Sequence, residues 1–359
     1  MDIDIIPIPD AELKPLFDNP EELGFGRVFT DRMFTMEYTP ARGWHAATIR
    51  KYEPLCLDPA TLVFHYGQEI FEGMKAFASP GGQAVFFRPE DNVRRFNHSA
   101  RRMCMPELDE QLMLDGLFRL VSIEGRWIPQ KRGSALYIRP TMIAAEVGLG
   151  VRPATNYLYF VILSPVGPYF KEGFRPVRLC ACDKYVRAVE GGVGEAKTGG
   201  NYAASLLAKQ DAKEKGYNEV LWLDARERRY VEEVGAMNIF FVIDGVVCTP
   251  ELSGAILQGI TRKSVLQLAE HLGYPVAERR IAIDELVAGI MSGRVSEAFG
   301  AGTAASIAPV GEIGYKEKDY TINMTEAGPI SRRLYEALQA IQFGEAPDPF
   351  GWTHKIDLH

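Results

Sequence analysis

The sequence predicts a mixed α/β (α+β) fold in two domains, and three observations carry the prediction. The chain has 359 residues, enough for about two cores at roughly 100 to 200 residues each. Runs of β-branched and aromatic residues alternate along it with segments of helical period. Midway lies PVGPYFKEGFRP, Pro165 to Pro176, with three prolines, two glycines and no period, which reads as a connection. We therefore expect an N-terminal domain over 1–166, an interdomain loop over 167–177 and a C-terminal domain over 178–359.

The elements follow in order. Six strands are expected in the first half, at 33–38, 45–52, 73–78, 83–87, 135–142 and 157–164, each bounded by Gly, Pro or polar clusters. Two helices interrupt them. Residues 89–103 place Val93, Phe96, Ala100 and Met103 on one face with proline in the first turn, and 108–124 is again amphipathic. In the second half a strand at 177–182 leads through a glycine-rich loop to a helix at 201–215, where Ala204, Leu207, Ala208 and Ala212 form a stripe and Gly216 follows as cap. Strands at 219–223 and 237–243, a helix at 261–272, a strand at 276–281, a short helix from Asp284, a strand at 295–299 and a helix at 326–341 complete the reading. FGWTHKIDLH at the end suggests no role.

Composition excludes several classes of function. With 47% hydrophobic and 24% charged residues the chain can offset its ordering entropy. Its formal charge of −7 offers no basic excess to displace counterions from nucleic acid. The five cysteines are odd in number and scattered, so they read as free thiols in a reducing compartment rather than a disulfide framework. No His pair at metal-binding spacing joins the CxC of Cys180 and Cys182, so no metal is expected. The acidic start lacks a signal-peptide pattern and no apolar run approaches about 20 residues, which leaves a cytoplasmic enzyme or binding protein.

GGVGEAKTGGNY, Gly191 to Tyr202, is the least ordinary segment, with five glycines around one lysine. Glycine loses the most backbone entropy on folding, so such a cluster points to sharp bends or a close approach to a ligand. Three readings stay open on the residues alone. The loop is a solvated connection; or it is a phosphate loop, although Ala196 stands where GxxxxGK[ST] needs glycine; or Lys197 is a lysine that forms a Schiff base with a cofactor aldehyde.

Four segments in the second half, EAKTGGNYAASL from Glu195, EEVGAMNIFFV from Glu232, LQGITRKSVLQLA from Leu257 and FGAGTAASIAPV from Phe299, resemble the fold-type IV pyridoxal-phosphate enzymes. In the first half LVFHYGQEIFEGMKAF, FRPEDNVRRFNHSARRM, LYIRP and VILSPVGPYF narrow the resemblance to the branched-chain amino-acid aminotransferases, a class IV aminotransferase family. The resemblance is collinear over nearly the whole chain. It implies a smaller N-terminal α/β domain plus a larger C-terminal pseudo-barrel α/β domain, with pyridoxal 5'-phosphate as cofactor.

Residue by residue, the resemblance makes Lys197 the Schiff-base lysine and proton shuttle. Tyr202 would bond the ring oxygen, and Glu233 the pyridine nitrogen, where a carboxylate keeps the ring a strong electron sink. Glu232 next door has the same composition, and periodicity does not choose between them. Arg95 matches the phosphate arginine, with Gly259, Ile260 and Thr261 opening a helix toward the phosphate and Thr303 adding a hydroxyl. The amides of Thr303 and Ala304 would face the substrate carboxylate. Phe25, Tyr66, Phe71, Tyr137 and Tyr169 align with aromatics that enclose a branched side chain. Arg139, a charge in an apolar strand, would bind carboxylate directly or through Tyr66. Val151 matches a position that reaches a neighbouring subunit, implying a homodimer. Ala305 to Ala308 stand where some mammalian relatives carry CxxC, so thiol-pair control is not expected here.

The implied activity is a ping-pong transamination of the branched-chain L-amino acids Leu, Ile and Val with 2-oxoglutarate, giving branched 2-oxo acids and L-glutamate (EC 2.6.1.42). Rivals are a D-amino-acid aminotransferase or aminodeoxychorismate lyase on the same fold, a P-loop nucleotide switch, and a non-catalytic cofactor carrier.

Overall fold

Period-two alternation in the first half builds a nine-stranded sheet. In spatial order it runs Asp4–Ile5, Gly43–Lys51, Arg32–Thr39, Tyr157–Val166, Ala135–Ala144, Met74–Ala78, Ala84–Phe87 and Thr353–Ile356, with Glu69–Phe71 also paired to Ala135–Ala144. The computed structural model describes residues 1–167 and 174–359. Helices Pro89–Arg102 and Glu110–Ile123 share one core with the sheet: Val93, Phe96, Leu117 and Leu120 pack with Phe34, Met36, Ile49 and Ile138, all buried. Asp109 caps the second helix by accepting the Leu112 N–H at 2.8 Å.

Pro140 sits inside the Ala135–Ala144 strand, a position that proline ordinarily avoids. The register explains it. Thr141, Met142 and Ile143 pair with Glu69–Phe71, and Leu136, Tyr137 and Ile138 pair with Met74–Ala76. Pro140 therefore falls opposite the interruption at Glu72 and Gly73, where its carbonyl still accepts the Glu72 N–H at 2.8 Å. Gly73 is required there, because a Cβ would stand 2.1 Å from the Tyr137 hydroxyl.

The second unit carries its own nine-stranded sheet, and six strands of it close on themselves. Val231–Val234 pairs with Glu219–Leu223, then come Val177–Cys182, Ser306–Tyr315, Val295–Gly302 and Met237–Ile243, which pairs back to Val231–Val234. This ring is the pseudo-barrel of a fold-type IV enzyme. Leu179, Leu221, Ile239, Phe241, Ile283 and Leu286 belong to one apolar cluster on it, and Ala208 and Ala212 pack on Val220 and Trp222. Helices Ile260–His271 and Ile283–Met291 flank the sheet.

The two units are not continuous halves of the chain. The first comprises Met1–Tyr169, Ala196–Gly199 and Ala340–His359; the second comprises Phe170–Glu195 and Gly200–Gln339. Thr353–Ile356, in the tail without a sequence-level role, forms an edge strand on Ala84–Phe87, and Trp352 packs edge-on to Phe87 with Arg88 over its ring.

Several elements depart from expectation. The helix expected at 201–215 is two pieces, Gly199–Ala203 and Leu206–Glu214. At the break the Ser205 hydroxyl donates to the Tyr202 carbonyl at 2.6 Å, competing with the helix ladder. Leu207, expected on the buried stripe, is 56% exposed. The strand expected to reach 281 ends at Glu278. Ser306–Tyr315, ten residues long and in the ring, had no sequence signal, because Pro309, Gly311 and Gly314 disguise it.

Candidate active site

Lys197 belongs to the short segment Ala196–Gly199 that clusters with the first unit. Its backbone is stitched on both sides. The Phe71 N–H donates to the Lys197 carbonyl at 3.0 Å, and the Lys197 N–H donates to Ser99 Oγ at 2.9 Å. Two residues on, the Gly199 N–H donates to the Glu69 carboxylate. The lysine loop is thus held by the Glu69–Phe71 strand and the Pro89–Arg102 helix rather than left to solvent. Lys197 Nζ lies 4.9 Å from the centre of the Phe71 ring.

Arg95 and Ser99 are four residues apart and share a helix face. Arg95 forms a two-pronged bond to Glu72, Nε to Oε1 at 2.7 Å and Nη2 to Oε2 at 2.9 Å. Glu72 is fully buried, so the pair fixes the guanidinium at the interruption of the strand.

Arg139 Nη2 donates to the Tyr137 hydroxyl at 2.9 Å, and the guanidinium stands 4.6 Å from the Phe71 centroid. Its Nε is buried without a hydrogen-bond partner among the described residues. Phe25 meets Tyr137 edge-on at 4.7 Å. These residues make a wall of aromatic carbon with one cationic donor. The structure pairs Arg139 with Tyr137 and not with Tyr66, whose hydroxyl is committed to the Leu149 carbonyl. Val151 follows on the same loop and is 83% exposed. Tyr169 lies outside the described residues.

In the second unit Glu233 is 2% exposed and its Oε2 lies 2.7 Å from Arg187 Nη1, itself buried. Asn238 Nδ2 donates to Glu233 Oε1 at 3.3 Å and to the Leu257 carbonyl at 3.0 Å. Arg187 Nη1 also donates to the Ala255 carbonyl at 3.1 Å. The strand is locally irregular: Leu221 faces Val234 but Leu223 faces Val231, so Glu232 and Glu233 together oppose one residue. Such a bulge re-aims side chains. Burial, followed by repulsion from Glu233, raises the Glu232 carboxyl to about 7, with Arg187 and Arg228 opposing the rise. Arg187 and Asn238 thus give Glu233 surroundings different from those of Glu232.

Gly259 is the N-cap of Ile260–His271, with no side-chain cap bond and no acid in the first turn. The helix start therefore presents N–H groups and the positive end of its dipole. A Cβ on Gly259 would stand 1.8 Å from Asn238 Oδ1, so Asn238 touches both the buried carboxylate and the helix cap. Thr261 is buried beside it. Thr303 and Ala304 lie in the turn joining Val295–Gly302 to Ser306–Tyr315 and are half-buried. Asn201, next to Tyr202, donates to the Val193 carbonyl at 2.8 Å and folds the glycine-rich loop back on itself.

Sequence reasoning missed Arg187, Asn238, Ser99, Glu69 and Glu72. Asn238 alone left a trace, as a lone amide in the apolar run MNIFFVI. The others act through partners far along the chain. Among the described residues no group of three or more His, Cys, Asp or Glu is placed to hold a metal ion.

Residues 69–313 match the amino-transferase class IV family. The chain is 51% identical over 338 residues to branched-chain-amino-acid aminotransferase 2 of Bacillus subtilis (strain 168), covering 94% of this chain and 93% of that one. It is 50% identical over 339 residues to branched-chain-amino-acid transaminase 1 of the same strain, covering 94% and 95%. Among solved structures, the T.th. branched-chain amino acid aminotransferase with pyridoxamine 5'-phosphate superposes with a TM-score of 0.76 at 30% identity, over 90% of this chain and 97% of that one. The same enzyme complexed with N-(5'-phosphopyridoxyl)-L-glutamate gives 0.75. The chain belongs to the class IV aminotransferases, which use pyridoxal 5'-phosphate. Taken unit by unit, the residue types suit that cofactor: the first holds a lysine fixed at its backbone and an arginine on the Pro89–Arg102 helix, and the second holds a buried carboxylate with its counter-ion and a helix start without a side-chain cap.

Proposed function

We infer that the protein is a branched-chain-amino-acid transaminase, exchanging the amino group of Leu, Ile or Val with 2-oxoglutarate to give branched 2-oxo acids and L-glutamate (EC 2.6.1.42). The observation that carries the substrate class is the Arg139 wall: aromatic carbon from Phe71 and Tyr137 to cover an aliphatic chain, and one buried donor for the carboxylate tail of glutamate. When bound, pyridoxal 5'-phosphate supplies an aldehyde and a ring that withdraws electrons.

Lys197 would hold that aldehyde, and its freed amine would take the proton from the substrate Cα. Its backbone ties to Ser99 and Phe71 keep the amine's reach short. Glu233 keeps the ring nitrogen protonated. Arg187 supports this role, because a buried carboxylate with a cation at 2.7 Å stays ionised. Tyr202 bonds the ring oxygen. Arg95, the N–H groups of Gly259, Ile260 and Thr261, and the Thr303 hydroxyl take the phosphate. The Thr303 and Ala304 amides take the substrate carboxylate, and Phe25, Tyr66, Phe71, Tyr137 and Tyr169 enclose the side chain. The working form is a homodimer, with the exposed Val151 loop reaching the second copy. It acts in the cytoplasm, as its five free thiols suit a reducing compartment; no helix among the described residues is long and apolar enough to cross a membrane.

The test is spectroscopic. L-leucine added to the yellow holoprotein without 2-oxo acid should convert the cofactor to its amine form in one turnover. Conversion by D-alanine and not by L-leucine would refute the substrate assignment.

A further inference from the structure

A cavity of about 340 Å³ lies in the second unit, and none of the residues assigned to cofactor or substrate lines it. Its size is that of a small-molecule site. Most of its charges are already matched. Arg226 Nη2 lies 2.8 Å from Glu190 Oε2, and Arg280 Nη2 lies 3.2 Å from Glu227 Oε1, both pairs exposed to solvent. Arg280 also stacks over the Tyr230 ring at 3.5 Å. The Asp224 carboxylate accepts four backbone N–H groups, from Arg226, Glu227, Arg229 and Tyr230. Two carboxylates are left over: Glu251, exposed, and Glu232, 8% exposed and lining the cavity. Among the described residues neither makes a side-chain hydrogen bond or ion pair. A buried carboxylate without a donor is costly, and the cavity is where a donor would enter. Burial and the negative charges of Glu233 and Asp224 outweigh the opposing Arg187 and Arg228 at Glu232.

The chemistry of the lining selects the occupant. The leftover charge is negative, which disfavours anions. No group of three or more His, Cys, Asp or Glu among the described residues could hold a metal ion, so the cation is organic. Val231, Pro250 and Ile256 are buried and give the cavity an aliphatic wall. We propose that this cavity binds a small aliphatic ammonium ion, its N–H groups donating to Glu232 and its methylenes covering Val231, Pro250 and Ile256.

The test uses n-butylamine and the pyridoxamine form of the holoenzyme, which has no aldehyde for an amine to attack. Isothermal titration calorimetry at pH 8 should show one saturable site per chain with a Kd below about 10 mM. Only the ionised carboxylate attracts the ammonium, and the Glu232 carboxyl titrates near 7. Affinity should therefore rise about tenfold from pH 6 to pH 8, and binding at pH 7 should release about half a proton, read from the dependence of the heat on the buffer's ionisation enthalpy. Glu232→Gln should weaken binding at pH 8 about tenfold or more and abolish the proton release. Ser253→Trp, which fills the cavity without removing a charge, should weaken binding as strongly, and it serves if the Gln variant does not fold. Glu251→Gln should weaken binding less and keep the pH dependence. No saturable binding below about 10 mM overturns the proposal, as does an affinity unchanged in Glu232→Gln. Tighter binding of Mg²⁺ with the same proton release would also overturn it, since the cavity would then be a metal site.

Discussion

Replacing Arg187 by Met should expose how the second unit stabilises its buried carboxylate. Glu233 is 2% exposed and the Arg187 guanidinium lies 2.7 Å from it, with Asn238 adding a bond at 3.3 Å. Removing one partner of a buried pair costs about 3–5 kcal/mol, because the other charge loses a counter-ion. Arg187 also bonds the Ala255 carbonyl, so the upper half of that range is expected. Urea unfolding of the apoprotein at pH 8, read by intrinsic tryptophan emission, to which Trp222, buried in the same unit, contributes, measures the loss. The deficit should shrink as the pH falls toward 5: without its counter-ion, Glu233 is favoured in the protonated form when folded, so folding takes up a proton and is helped by acid. Arg187→Met with Glu233→Gln should recover most of the stability, since a neutral amide has no charge to compensate. A loss under about 1 kcal/mol for the single variant, or a double variant no more stable than Arg187→Met alone, would refute the claim that the two charges depend on each other.

Three further outcomes are expected. Lys197→Ala should bind cofactor without a borohydride-reducible linkage and lose nearly all turnover, and a rate near wild type would exclude Lys197 as the base. Gly259→Ala forces a Cβ to within 1.8 Å of Asn238 Oδ1, so pyridoxal 5'-phosphate affinity measured by equilibrium dialysis should drop about tenfold or more, a cost of about 1–3 kcal/mol. Glu232 titrates near 7 in the fold, above its ordinary value of 4.5. A carboxyl raised on folding lends stability below its unfolded value and loses that contribution as pH rises through 7, so Glu232→Gln should be the more stable protein at pH 8, by about 1–2 kcal/mol after allowing for water at its partly open side, with the gap closing near pH 5.

The candidate site was legible in the sequence to the extent that its chemistry is carried by short, ordered motifs. Lys197 in its glycine loop, the Arg95 helix and the Gly259–Thr261 helix start each combine a residue type with a local backbone requirement, and both can be read within about a dozen residues. The second-half helices at Ile260–His271 and Ile283–Met291 were legible for a similar reason, since their apolar residues recur at helical spacing. Ser306–Tyr315 was not, because in the ring its neighbours on both sides tolerate Pro309 and two glycines that would disqualify an isolated strand. The broken helix after Tyr202 was not legible either: the residues on both sides suit a helix, and the chain restarts one at Leu206 after the Ser205 hydroxyl bonds the Tyr202 carbonyl.

The sequence, through its resemblance to a known family, named the residues proposed for the reaction and their order along the chain, and with its alternation of strand and helix patterns determined the fold class. Tertiary structure decided what each one pairs with: Arg187 and Asn238 on Glu233, Glu72 on Arg95, Ser99 and Glu69 on the lysine segment, and Tyr137 rather than Tyr66 on Arg139. The physical reason is range. Backbone propensity and hydrophobic period act over a few residues, whereas the energy of a buried charge depends on whichever groups the folded chain brings within about 3 Å of it, and those lie 5 to 130 residues away.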